Sequence, residues 1–361
     1  MAKQKKISKA ARTYLTSFIL VGGFWGAIEA VKLSGGLSSK AAGLLIPVCA
    51  YIMMAISLNL VVGFLGELSL GHAAFMSAGA FAGVFFYNTA GAGMPEGAAI
   101  VLAFLIGGLA AGIFGVIVGV PVLRLSGDYL AIVTLAFGEI LKNVLNSLYI
   151  GADSAGLHFS LKDQFSLNME PTGKVLMKGA MGITGIRKFS VFSVGILLIA
   201  LTLLFVLNLM NSRAGRAITA IRDDDIAARS IGINLTKYKL MAFVSSAVIA
   251  GFAGVLYALN FASLVAKKFD YNLSINILVM VVLGGMGSIP GAIIAAVVLT
   301  VLPELLRGFS QYRMFIYSIV LIIMMLFNRA PAFVMWRQRM ALKFRSGKAG
   351  SEKEDAGKKK G

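Results

Sequence analysis

The chain has 361 residues, of which 58% are hydrophobic and only 14% charged, with a mean hydropathy of +0.84 and a formal net charge of +18. A water-soluble domain with so little charge would expose large apolar patches, so the composition excludes one and points to lipid. One cysteine, Cys49, and two histidines, His72 and His158, exclude an intrachain disulfide framework, a thiolate metal cluster and an ordinary histidine metal site.

The chain opens on a basic segment, 1–13, with Lys3, Lys5, Lys6, Lys9 and Arg12 ahead of the apolar stretch Tyr14–Val31. That stretch is long for a signal peptide and many more follow it, so it reads as an uncleaved first helix with a cytoplasmic N-terminus. A spanning helix needs about 20 apolar residues. Further candidate spans lie at 42–63, 68–88, 97–120, 128–150, 189–210, 240–261, 272–285, 291–306 and 312–329. The fold class is therefore all-α: a polytopic membrane helix bundle of about ten spans within a 14–330 permease-like region. Small residues recur at helix-packing spacing (Gly79/Gly83, Gly108/Gly112, Gly115/Gly119), which reads as close helix contact rather than ligand binding.

Two spans are broken by glycine. Segment 68–88 follows Gly63 and Gly66, and segment 272–285 ends in Gly284-Gly285-Met286-Gly287-Ser288-Ile289-Pro290-Gly291, which no comfortable continuous helix accommodates. Ser57-Leu58-Asn59-Leu60 before the first break echoes Ser274-Ile275-Asn276-Ile277 before the second, which suggests an internal two-fold repeat of interrupted helices. Ten crossings place the basic N-terminus, the basic loop 211–239 and the basic, disordered tail 331–361 on one side, as the positive-inside rule requires. The same rule accounts for the +18 charge without nucleic acid. A re-entrant pair at 272–306 with another span miscounted remains open. The polar connection 151–188 falls on the outer side.

No G-x-x-x-x-G-K-[ST] phosphate loop, nucleophile–base pair or catalytic carboxylate pair occurs, so the chain reads as no enzyme, with no cofactor and no metal. Any energy for uphill transport comes from a partner or an ion gradient. In the basic loop, Arg222 precedes Asp223, Asp224 and Asp225, which suit the start of a short helix. Ala227, Ala228 and Ile231 give that helix a small apolar face, and Gly232 stops it. Such a helix is either a knob for a groove on a partner or an ordinary solvated loop helix. Glu139 is the one carboxylate well inside a span, and Lys142 can pair with it at i,i+3, as a structural pair or as part of a pathway. Asn59, Gly66, Gly71, His72, Asn276, Gly285 and Gly287 border the two breaks; His72 either caps the segment it opens or lines the route, and Asn59 and Asn276 can bond freed backbone or passing substrate.

Four co-linear motifs carry a resemblance: Ser57–Gly83 (SLNLVVGFLGELSLGHAAFMSAGAFAG), Gly127–Glu139 (GDYLAIVTLAFGE), Ile221–Gly254 and Gly284–Gly291. Together they resemble the branched-chain amino-acid ABC transporter permeases, in particular the longer, M-type member of the permease pair. The resemblance implies an importer in the bacterial inner membrane with both termini cytoplasmic. Its expected partners are a second homologous permease subunit, two ATP-binding-cassette ATPase subunits, a periplasmic amino-acid-binding protein and membrane lipid.

The resemblance also implies that Ala227-Ala228-x-x-x-Gly232 matches the Glu-Ala-Ala…Gly coupling motif that docks into the ATPase, with Ile226 standing at the Glu position. Ala152-Asp153 stands where the family tends to have a glycine pair. The alternatives are a urea or short-amide permease of the same family and an ion-coupled secondary transporter, for which Glu139 is the plausible mid-membrane acid.

Overall fold

The computed structural model describes residues 9–34, 39–123, 129–153, 156–167, 173–189 and 191–306, together with Ser318, Ile319 and Ile322. Met1–Val301 form one compact unit and Leu302–Gly361 a second, and both glycine breaks belong to the first. The expected span 312–329, apart from those three helical residues, and the expected basic tail lie outside the described residues.

The helices are α1 (Lys9–Leu33), α2 (Ser39–Asn59), α3 (His72–Asn88), α4 (Glu96–Val122), α5 (Tyr129–Ser147), α6 (Phe192–Asn211), α7 (Arg213–Asp223), α8 (Asp225–Ser230), α9 (Leu235–Ala258), α10 (Tyr271–Gly284) and α11 (Ile289–Leu305). Each of the first nine candidate spans coincides with one of them. By length and apolar content alone, six stretches among the described residues are long enough to cross a bilayer: Tyr14–Leu33, Ala42–Leu65, Glu96–Val122, Tyr129–Ser147, Phe192–Asn211 and Leu235–Ala258. The two breaks are each followed by a 17-residue helix, α3 and α11.

The bundle is built on α2, α3, α4 and α9. Along α4, Ala99, Ala103, Gly107, Ala111 and Gly115 are buried, while Val101, Leu105, Leu109, Ile113 and Ile117 are exposed. A soluble protein would make that outer stripe polar; here both stripes are apolar and only side-chain size separates them. The small stripe faces α9. Gly108 leaves room for the Phe252 ring, Gly112 for Val248 and Gly115 for Ala247. Between α3 and α9, Gly79 lies directly on Gly251, and a Cβ at Gly254 would stand 2.0 Å from the Met76 carbonyl oxygen. Where burial from water is no longer a driving force, close approach of this kind is what holds helices together.

The polar connection 151–188 carries strand structure that the all-α expectation did not include. It contributes strands β1 (Tyr149–Asp153), β2 (Gly156–Ser160), β3 (Lys174–Lys178) and β4 (Ile183–Thr184), and β5 (Ser263–Leu264) joins them from beyond α9. The sheet is antiparallel in the order β2-β1-β3-β4-β5. His158 Nε2 pairs with the Asp153 carboxylate at 3.0 Å across the β1–β2 hairpin. Arg187 anchors the sheet's exit to the bundle by donating to the Tyr87 carbonyl at 2.9 Å and lying over its ring.

Candidate functional site

The first break begins where α2 gives way to a π-helical stretch, Leu60–Leu65, ended by Gly66 in the left-handed region at φ +83°. A wider helical turn of this kind frees backbone groups that lipid cannot satisfy. The second break lies between α10 and α11, with Gly285 at φ +88° and Gly287 at φ +78°. The two breaks meet. The fully buried Asn59 accepts the Gly287 amide through Oδ1 at 2.9 Å, and a Cβ at Gly63 would stand 2.0 Å from that oxygen and 2.3 Å from the Gly287 nitrogen.

The basic loop reaches the same place. Arg222, at the end of α7, donates from Nη1 to the Gly63 carbonyl at 3.2 Å, and from Nε and Nη2 to Asp223 Oδ1 at 3.1 and 2.8 Å. Gly66 packs against the Arg222 stem. Lys239, in the first turns of α9, forms an ion pair with Glu67 in which both side chains are largely covered.

Between Arg222 and Lys239 stands α8. The sequence reading put all three aspartates at the start of one helix; instead Asp223 closes α7, Asp224 is extended and caps α8 by accepting the Ala227 amide at 2.9 Å, and Asp225 opens it. A second difference concerns the face. Ala228 is buried against the chain itself, whereas Ile226 and Ile231 are 79% and 74% exposed and Ala227 is exposed beside them. Gly232 follows at φ +84°, where the chain reverses and the Ile233 amide bonds the Ala228 carbonyl at 3.1 Å.

Beyond the first break, the non-helical segment 66–71 packs against α5. A Cβ at Gly71 would stand 2.0 Å from the Thr134 carbonyl oxygen on α5, and Thr134 Oγ1 accepts the Leu70 amide at 3.1 Å. His72 opens α3 and is buried. Its Nε2 lies 2.8 Å from Ser57 Oγ, which donates to the Ser246 carbonyl at 2.6 Å. Ser246 Oγ lies 3.1 Å from Ser57 Oγ and 3.4 Å from Nε2, so the ring nitrogen sits against two hydroxyls, while the buried Nδ1 has no hydrogen-bond partner. Ser274 Oγ on α10 accepts the Ala73 amide at 3.0 Å.

Asn276 does not reach the second break. It lies on α10 more than two turns before Gly285 and is exposed, so the sequence echo with Asn59 does not extend to its environment. Glu139 pairs with Lys142 and borders a small crevice with Leu70, Ala73, Asp270 and Ser274. Among the described residues, no three His, Cys, Asp or Glu side chains form a metal-ligand set.

Residues 41–327 match the family described as branched-chain amino acid transport system / permease component. The chain belongs to that family. The high-affinity branched-chain amino acid transport system permease protein LivM of Salmonella typhimurium is 36% identical over 311 residues, covering 84% of this chain and 71% of LivM. LivM of Escherichia coli is 34% identical over 315 residues, 81% of this chain and 70% of its own length. The high-affinity branched-chain amino acid transport system permease protein LivH of Salmonella typhimurium is 32% identical over 117 residues, 32% of this chain and 38% of LivH. No solved structure matches the chain.

In this permease the sequence reading singled out Asn59, Gly66, Gly287 and Arg222, and the fold brings these four together. It placed Gly63 at the first break but did not foresee the contacts of Gly63, Glu67 and Lys239, and it gave no contact to Ser57, Thr134, Ser246 or Ser274. Nothing local marks these residues, because their partners lie far away in sequence: Arg222 and Gly63 are 159 residues apart, Lys239 and Glu67 172, and Gly287 and Asn59 228.

Proposed function

We propose that the chain is the M-type permease subunit of an ATP-binding-cassette importer for branched-chain amino acids. It pairs with a second, LivH-like permease, and substrate reaches the pair from a periplasmic binding protein. The printed names of the relatives and the family description support the substrate class. The observation that carries the driven mechanism is α8: an aspartate-capped helix presenting Ile226 and Ile231 to solvent at the foot of the two glycine breaks. Two exposed isoleucines, one on a short helix and one at its C-cap, fit a hydrophobic groove on an ATPase subunit.

Ten crossings, with both termini and α7–α8 cytoplasmic and the five-stranded sheet periplasmic, agree with the positions of the basic clusters. ATP-driven closure of two ATPases moves α8 and shifts the bundle between inward- and outward-open states. The exposed Asn276 and the half-buried Glu139–Lys142 pair lie on neighbouring helices α10 and α5. We assign this face to the translocation path shared with the second permease, since lipid satisfies neither an amide nor an ion pair. The α4 face, by contrast, carries only apolar side chains beyond Glu96 at its first residue, as a lipid contact does.

The test is to purify the tagged chain from its native membrane and identify what remains bound, then to measure leucine uptake in vesicles with and without internal ATP. Two ATPase subunits, a second permease and ATP-dependent uptake are expected. A homo-oligomer competent for uptake under an ion gradient alone would sink the reading in favour of a secondary transporter.

A further inference from the structure

The α7–α9 segment touches the first break at two points, one on each side of α8. Upstream, the Arg222 guanidinium holds the Gly63 carbonyl within the π-helical stretch. Downstream, the Lys239 ammonium holds the Glu67 carboxylate just past Gly66. Both contacts fall within five residues of the same kink, and the kink is joined to the second break by Asn59 Oδ1 and the Gly287 amide.

We propose that Arg222 and Lys239 are paired positioning residues, a two-point clamp through which displacement of α8 moves both glycine breaks together. The proposal rests on the reading of α8 as the helix an ATPase grips, and it adds the route by which that grip reaches the membrane interior.

Three physical features support it. First, the route is short and ends in directional bonds: α7 carries Arg222 one turn or less before α8, and α9 begins at Leu235 after only the four residues 231–234. Second, the parts held are the compliant ones. Gly66, Gly285 and Gly287 occupy backbone conformations that glycine leaves without side-chain penalty, so small torques there redirect α3 and α11. Third, the approach is close. A Cβ at Gly66 would stand 2.6 Å from the Arg222 Cγ and one at Gly63 2.3 Å from the Gly287 nitrogen, so none of the three elements can move toward its neighbour without pushing it.

A residue that merely stabilised the fold would reduce uptake and ATP hydrolysis together. A clamp predicts that they separate. In the full complex reconstituted in liposomes, Arg222→Ala and Lys239→Ala are expected to keep ATPase content and hydrolysis within about twofold of wild type while leucine moved per ATP falls at least tenfold. Arg222→Lys, which retains a donor, is expected to recover part of that loss. The charge-reversed pair Glu67→Lys with Lys239→Glu is expected to recover more than either single reversal.

A second measurement needs no ATPase. Amide hydrogen exchange of the purified permease is expected to rise at least tenfold over both 60–67 and 284–288 in Arg222→Ala, although Arg222 bonds only the first of these. Wild-type stoichiometry in Arg222→Ala, a proportional loss of hydrolysis and uptake, or a rise confined to 60–67 would each overturn the clamp. A wild-type complex that holds no ATPase overturns the importer reading, and the exchange experiment then still decides whether the two breaks are linked.

Discussion

The crossing of α3 and α9 offers the sharpest test of how this bundle is held. At Gly79 an added Cβ would lie 2.4 Å from the Gly251 Cα and 2.5 Å from its carbonyl oxygen. Carbon atoms in contact sit about 3.5–4.0 Å apart, so Gly79→Ala requires the two helices to part by about 1 Å. No rotamer change relieves it, because both obstructing atoms are backbone. Nor can α3 retreat towards α4, where a Cβ at Gly107 would already stand 2.8 Å from the Gly79 carbonyl oxygen. Overpacking costs about 1–3 kcal/mol, and a backbone obstruction belongs at the upper end. Alanine's greater helix propensity offsets up to about 1 kcal/mol, leaving a net loss of about 1–2 kcal/mol. Gly26→Ala on α1 is the control, since nothing lies within 4 Å of its added Cβ. Equilibrium unfolding in mixed detergent micelles, followed by helix content, reads both variants. Gly26→Ala is expected at or slightly above wild type and Gly79→Ala clearly below. If the two are indistinguishable, contact at these glycines is not what holds α3 to α9.

Other substitutions probe the site and its supports. Ile226→Asp with Ile231→Asp is expected to reduce ATPase retention in pull-downs at least tenfold while leaving the permease folded, since both side chains are exposed, one on α8 and one at its C-cap. Ser57→Ala removes a partner of buried His72 Nε2 and the donor to the Ser246 carbonyl, and is expected to cost about 1–3 kcal/mol in the same unfolding assay. In the sheet connection, the Ser166 hydroxyl and amide both donate to Asp163, and these bonds hold its carboxyl below the usual carboxylate range. A depressed folded-state pKa means the turn's stabilisation is present above the usual carboxylate pKa and disappears as pH falls through the lowered value. Limited proteolysis at 161–167 is therefore expected to begin at a higher pH in Ser166→Ala than in wild type.

The bundle was legible because its signals are local. Runs of apolar residues mark α1 to α6 and α9 directly, and the glycine pairs at 79/83, 108/112 and 115/119 all lie at contacts among α3, α4 and α9. The sheet was not legible. Its strands are two to five residues long, carry Lys174, Lys178, Asp153 and His158, and depend on β5 from a separate part of the chain. The α8 face was half legible: composition identified a small apolar patch but assigned Ala228 to it, because helical periodicity cannot say which side of a six-residue helix the chain itself will cover. The serine and threonine contacts around His72 carry no pattern at all, since each arises only when separate helices have come together.

Breaking a helix leaves amides without acceptors and carbonyls without donors, up to four of each at the new ends, and wherever lipid surrounds them it supplies no partner. Here the Gly287 amide is satisfied from α2 by Asn59, and the Gly63 carbonyl is satisfied from α7 by Arg222. Satisfying each break from within its own helix would have left three independent elements. Satisfying them from neighbours means that neither break can change shape without giving up a bond to another element or carrying that element along. The bonds that make the kinks tolerable in a bilayer are thus the same bonds that link them to the segment bearing α8. Asn59→Ala separates the two consequences. It leaves the Gly287 amide without its acceptor and cuts the connection between the breaks, yet leaves Arg222 on Gly63. Hydrogen exchange should therefore rise at 284–288 and stay near wild type at 60–67, the reverse of the pattern expected if the first break depended on the second.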